Sequence, residues 1–160
     1  MKTRVSIDGN RFLIDGTDPY PDGRPEVAGK GILLNVRAVN ALFDDDGSYV
    51  KGYWSDSRAN PNVGYDQGLF GTWDPDDNTR RFLIALPSWR AMGVRAVTIN
   101  FQGGGPLFPY TKEYYGLNIR QMVENNGFTK EGALKPSFAA RAERIIRRAD
   151  ELGMVVIVGL

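Results

Sequence analysis

The sequence contains no cysteine and no histidine. The first absence excludes disulfides, zinc–thiolate sites and cysteine nucleophiles. The second removes the side chain most used for proton transfer near neutral pH, which is also the commonest metal ligand. A Ser-His-Asp triad therefore cannot be assembled from this chain. An excess of one charge sign is missing too: 20 Lys and Arg meet 19 Asp and Glu, a formal +1. No global pull toward nucleic acid or an anionic membrane is expected. No apolar run approaches the roughly 20 residues of a membrane span. The opening MKTRVSIDGN lacks the apolar stretch of a signal peptide. These absences describe a soluble, cytoplasmic chain with no cofactor and no metal, or a secreted one if its N-terminus has been trimmed.

What is present is patterned for a packed domain. RVSIDGNRFLIDG alternates apolar and polar residues on either side of Asp8-Gly9-Asn10, which predicts a β-hairpin. Residues 16–31 are rich in Gly, Pro and Asp and are expected to form a loop. GILLNVRAVNALF predicts a strand from Ile32 to Val36 or slightly beyond. NTRRFLIALPSWRAMG predicts a helix over 78–93, capped by Asp77 or Asn78, with Phe82, Leu86 and Trp89 on one face. Pro87 is expected to kink or split it. VRAVTINF is the next predicted strand, PSFAARAERIIRRADELG a second helix, and MVVIVGL a third strand that reads as buried on both faces. In the second helix Glu143 with Arg147, and Arg147 with Glu151, stand at ion-pair spacing.

RAMGVRAVTIN and DELGMVVIVGL share one form: a helix end, a glycine, and at once an apolar strand. The order strand, helix, strand, helix, strand predicts a parallel α/β sheet with right-handed crossovers. Helix-to-strand links are expected to be short. The strand-to-helix links, 44–77 and 102–135, are long. In α/β folds the loops after strand C-terminal ends carry function. MVVIVGL offers no cap, turn or edge charge, so the chain is expected to be the front part of a longer polypeptide.

IDGNRFLIDGTDPY resembles the opening β-hairpin of (β/α)8-barrel glycoside hydrolases, where the hairpin plugs the barrel floor. WRAMGVRAVTINFQGG resembles their helix 1–strand 2 segment, and RRADELGMVVIVGL their helix 2–strand 3 segment. GILLNVRAVNALF together with TINFQGG is most similar to a little-characterised, cellulase-like branch. The resemblance implies one partial domain over 1–160, with a hairpin plug over 1–16. Residues 31–160 would supply the first three strands and two helices of a TIM barrel. It implies hydrolysis of O-glycosidic bonds in a saccharide, with the acid/base carboxylate after strand 4 and the nucleophile at strand 7. Neither strand lies in this sequence, so the two-carboxylate mechanism is assigned to no residue here. Family members often carry an Arg near the end of strand 2, where this chain has Asn100 and Gln102. The alternatives are a non-catalytic carbohydrate-binding or scaffold protein of barrel-derived fold, and a complete flavodoxin-like domain. The latter needs four or five strands.

Candidate substrate-binding residues follow from position and chemistry. Asn35, Arg37, Asn40, Asn100 and Gln102 fall near predicted strand C-termini, where amides and guanidinium groups hydrogen-bond sugar hydroxyls. The plain alternative is that they satisfy loop backbone. Trp54 and Trp73 stand in the first long loop, with Tyr110, Tyr114 and Tyr115 in the second. Aromatic faces stack on pyranose rings, although long loops also need anchors of their own. DDDG at 44–47 lacks the EF-hand ligand spacing. QGGGP at 102–106 has neither a P-loop Lys nor a following helix. Arg141, Arg144, Arg147 and Arg148 are expected to form a solvated outer face, offset by Glu143, Asp150 and Glu151. Asp74, Asp76, Asp77, Glu113 and Glu124 are loop carboxylates that nothing in their spacing marks as catalytic.

Overall fold

The structure, a computed structural model, describes residues 2–23, 25–42, 74–101, 127–129 and 131–159. In chain order its regular elements are β1 (Val5–Asp8), β2 (Arg11–Ile14), β3 (Asn35–Arg37), a 3₁₀ turn (Val39–Leu42), α1 (Pro75–Ala91), β4 (Ala96–Asn100), α2 (Pro136–Glu151) and β5 (Val155–Gly159). The fold is mixed α/β, with an antiparallel hairpin and a three-stranded parallel sheet of order β3-β4-β5. The described strands form an open sheet and no closed barrel.

The hairpin pairs Val5 with Ile14 and Asp8 with Arg11 around the two-residue turn Gly9-Asn10. Gly9 has φ +61°. A glycine with positive φ at the first central position suits the right-handed twist of the flanking strands. The hairpin is held to the rest of the chain at several points. The Phe12 amide donates to the Gly31 carbonyl at 3.0 Å. The Lys2 and Thr3 amides donate to the Asp150 carboxylate at the end of α2, at 2.7–2.9 Å. The Tyr20 hydroxyl donates to the Gly93 carbonyl at 2.8 Å and accepts from the Leu34 amide at 3.3 Å. Arg95 stacks its guanidinium over the Tyr20 ring at 5.4 Å. Asp150, Gly93, Leu34 and Arg95 lie where helices end or strands begin, so the N-terminal segment packs along the N-terminal edge of the sheet.

The first sheet strand is shorter than the sequence predicts. Residues 32–34 stay outside it, with Leu34 48% exposed. The cause is Gly31, whose backbone is committed to the hairpin, so the chain reaches the sheet only when the Leu34 carbonyl accepts from the Arg95 and Ala96 amides, both at 3.1 Å.

Helix α1 starts earlier than its predicted boundary. Asp74, not Asp77 or Asn78, is the cap, accepting from the Asp76 amide at 2.8 Å and the Asp77 amide at 3.3 Å. Pro75 follows in the first turn, where a missing N–H costs nothing. Pro87, expected to kink or split the helix, sits inside one continuous helix. Packing on both sides of it holds the axis: Phe82, Leu83, Leu86 and Trp89 all lie against the core, and Phe82 meets Trp89 edge-on at 5.5 Å.

Gly93 (φ +97°) and Gly153 (φ +62°) end the two helices in the left-handed conformation that glycine reaches without strain. Buried Phe138, Ala142, Ile145 and Ala149 form the α2 stripe. Arg141 departs from expectation: it is 2% exposed, its guanidinium 5.8 Å from the Phe138 ring. The outer-face reading holds for its neighbours. Arg147 pairs with Glu143, Arg148 with Glu151, and Arg144 with Asp76 of α1. Glu151 is thus taken by Arg148 rather than by Arg147.

Both helices cover one face of the sheet. Val97 and Ile99 are fully buried against Leu86, Phe138, Ile145 and Ala149 in two adjoining clusters. Burying side chains of this size contributes about 1.5–3 kcal/mol each. Strand β5 is not buried on both faces as its composition predicts: Ile157 is 39% exposed and Val158 40%. Among the described strands β5 pairs only with β4. No helix among the described residues is long and apolar enough to cross a membrane.

Candidate functional site

Side chains alternate across a strand, so burying Val97 and Ile99 under the helices turns Ala96, Thr98 and Asn100 to the opposite face. Register carries this to the neighbours. Asn35 lies beside Ala96 and Arg37 beside Thr98, while Ile157 and Gly159 flank Thr98 and Asn100 on the other side. The face away from the helices therefore carries Asn35, Arg37, Thr98 and Asn100 together, with the longest polar side chains toward the strand C-termini. The structure thus puts Asn35, Arg37 and Asn100 on one face of the sheet, where the sequence groups them only by nearness to strand C-termini.

Two local features shape this face. The Thr98 hydroxyl donates to Asn35 Oδ1 at 3.0 Å. Beside it, Gly159 makes room for the Asn100 amide: a Cβ built on Gly159 would stand 3.1 Å from Asn100 Oδ1. Thr98 and Gly159 escape a search by residue type, because neither is a typical chemical group. The signal available for them was register, which needs the strand pairing.

Among the described residues Arg37 is the only charged side chain on this face. It is exposed and makes no ion pair with any described residue. Asn40 falls within the 3₁₀ turn that follows β3. Trp54, Trp73 and Gln102 lie outside the described residues, as do Tyr110, Tyr114, Tyr115, Glu113, Glu124 and the DDDG and QGGGP stretches.

Several described carboxylates have structural partners elsewhere. Asp74 caps α1, Asp76 meets Arg144, and Asp77 is held by Arg80 and Arg81. Asp18 accepts from the Tyr20 and Gly31 amides, both at 2.8 Å. Those backbone bonds, the one from Tyr20 first, hold its carboxyl below the ordinary value. Asp77 is lowered by its bonds from Arg80 and Arg81, and Asp150 by those from Thr3 and Lys2. No group of three or more potential metal-ligating side chains occurs among the described residues.

The long strand-to-helix links are fastened where they leave and rejoin the scaffold. The buried Thr79 hydroxyl of α1 donates to the Ala41 carbonyl at 2.8 Å. The Gly127 amide donates to the Phe101 carbonyl at 2.6 Å, and Phe101 packs edge-on against Phe138 at 5.3 Å. Both fastenings lie at the strand C-terminal edge, beside the polar face.

Comparison with protein-family models, with curated proteins and with solved structures finds no match to this chain.

Proposed function

We propose that this chain is the N-terminal part of a (β/α)8 glycoside hydrolase-like enzyme that cleaves O-glycosidic bonds of a saccharide. The observation that carries the reading is the polar face of Asn35, Arg37, Thr98 and Asn100 on a parallel sheet whose opposite face is covered by helices. In a barrel that face lines the interior, and its C-terminal end is where substrate binds. A hairpin packed along the N-terminal edge of the sheet suits a floor plug. In this reading Asn35, Arg37 and Asn100 bind sugar hydroxyls, with Asn40, Trp54, Trp73 and Gln102 completing the subsite from the loops. The acid/base carboxylate and the nucleophile come from strands 4 and 7 of the full barrel.

One observation favours the second reading, a non-catalytic carbohydrate-binding or scaffold protein: among the described residues no carboxylate stands on the polar face. The two readings part in one experiment. Calorimetric titration with oligosaccharides is run beside hydrolysis assays on aryl glycosides, for this chain and for a longer version carrying eight strand–helix units. The enzyme reading expects binding by both and turnover by the longer one alone. Binding without turnover in both favours the second reading. Turnover by the 160-residue chain contradicts the placement of the carboxylates.

A further inference from the structure

Building on the saccharide reading, we infer that the polar face selects a saccharide bearing an anionic group, a carboxylate as in a uronic acid, and that Arg37 receives it. The argument is one of donor balance. The Thr98 hydroxyl donates to Asn35 Oδ1 at 3.0 Å, which takes up part of that oxygen's acceptor capacity while the amide nitrogen, with two N–H donors, stays available. Arg37, next but one along the same strand and on the same face, has five N–H donors and no acceptor. It is exposed and unpaired among the described residues, and no described carboxylate shares the face. A neutral sugar hydroxyl uses donors and acceptors about equally. A carboxylate offers acceptors only, in a planar fork that matches a guanidinium. The face therefore fits a charged sugar better than a neutral one.

The test compares trigalacturonic acid with its neutral methyl ester, and with a sulfated trisaccharide, by calorimetric titration of the full chain. The acid is expected to bind about tenfold tighter than the ester, the difference that a charge-assisted bidentate pair supplies at an exposed site. Arg37→Gln is expected to bring the acid down to the ester's affinity. Tight binding of the sulfated sugar as well would show that Arg37 reads charge rather than the carboxylate fork, overturning the uronic-acid assignment. Equal binding of acid and ester overturns the inference and leaves the saccharide reading standing. If neither binds while neutral oligosaccharides do, the inference is overturned and the saccharide reading stands; if no oligosaccharide binds, both fail. A preference that survives Arg37→Gln overturns the assignment to Arg37. A second readout needs no variant: the Arg37 Nε–H NMR signal of the unaltered chain shifts with the acid and not with the ester, and a silent signal contradicts the proposal.

Discussion

The hydroxyl of Thr79, on α1, donates to the carbonyl of Ala41, in the 3₁₀ turn after β3, at 2.8 Å in a fully buried setting. This bond ties the chain leaving the first sheet strand to the helix by which it returns. Thr79→Val keeps the shape and removes the donor, leaving a buried carbonyl without it. The expected cost is about 1–3 kcal/mol, read as a lower urea midpoint with an unchanged slope. Thr79→Ser, which keeps the hydroxyl, recovers most of it.

Gly31 leaves no room for a side chain. A Cβ there would lie 2.4 Å from the Arg11 Cβ and 2.6 Å from the Arg11 Cα, on a backbone with φ +63°. Gly31→Ala must push the hairpin away or change that backbone conformation. Overpacking alone costs about 1–3 kcal/mol, and the left-handed backbone adds about 1 kcal/mol. Thermal unfolding is the measurement. Gly29→Ala, at φ +69° with nothing near its built Cβ, costs the backbone part only and serves as the control.

Asp18, Asp77 and Asp150 all have carboxyls held below the ordinary value of 3.8 by hydrogen bonds made in the folded chain. A carboxyl whose folded value is depressed binds protons more readily when unfolded. Its contribution is therefore complete above the unfolded value and is lost as pH falls through the folded one. Stability is expected to be flat in this respect above about pH 5 and to decline below about pH 4. Asp150→Asn removes the part that fastens Lys2 and Thr3 and makes the acid decline shallower. Denaturant titrations at successive pH values check both statements.

Gly159→Ala tests the geometry of the polar face from the opposite strand. Its Cβ would sit 3.1 Å from Asn100 Oδ1, tight enough that the amide must give way. Saccharide affinity is expected to fall several-fold, about 1 kcal/mol, while the melting temperature changes little because Gly159 is the last residue of β5. An unchanged affinity would remove Asn100 from the binding face.

Much of this architecture is legible in the chain. Gly93 and Gly153 announce the helix ends because a left-handed residue after a helix is a local requirement that glycine meets. The hairpin is likewise written in alternation around Gly9. Less legible is whatever depends on partners far along the sequence. Arg141 is buried because its turn of α2 faces inward, which its charge does not suggest. Ile32 and Leu34 have strand composition, but Gly31 is drawn to the hairpin first. Asp74 caps α1 although Asp77 stands equally well in the sequence; Pro75 settles it, since the first turn is where proline fits. Of the polar face, Asn35, Arg37 and Asn100 are visible as polar residues at strand ends. Thr98 and Gly159 become visible only once β3, β4 and β5 are set in register.

The central claim is that ligand meets the sheet on the face away from the helices, at the strand C-termini. Amide chemical-shift mapping during titration with trigalacturonic acid tests it most directly. The account predicts shifts concentrated at Asn35, Arg37, Thr98, Asn100 and Gly159, with Val5–Ile14 of the hairpin and the outer face of α2 silent. Shifts confined to the hairpin or to Arg144, Arg147 and Arg148 would contradict it.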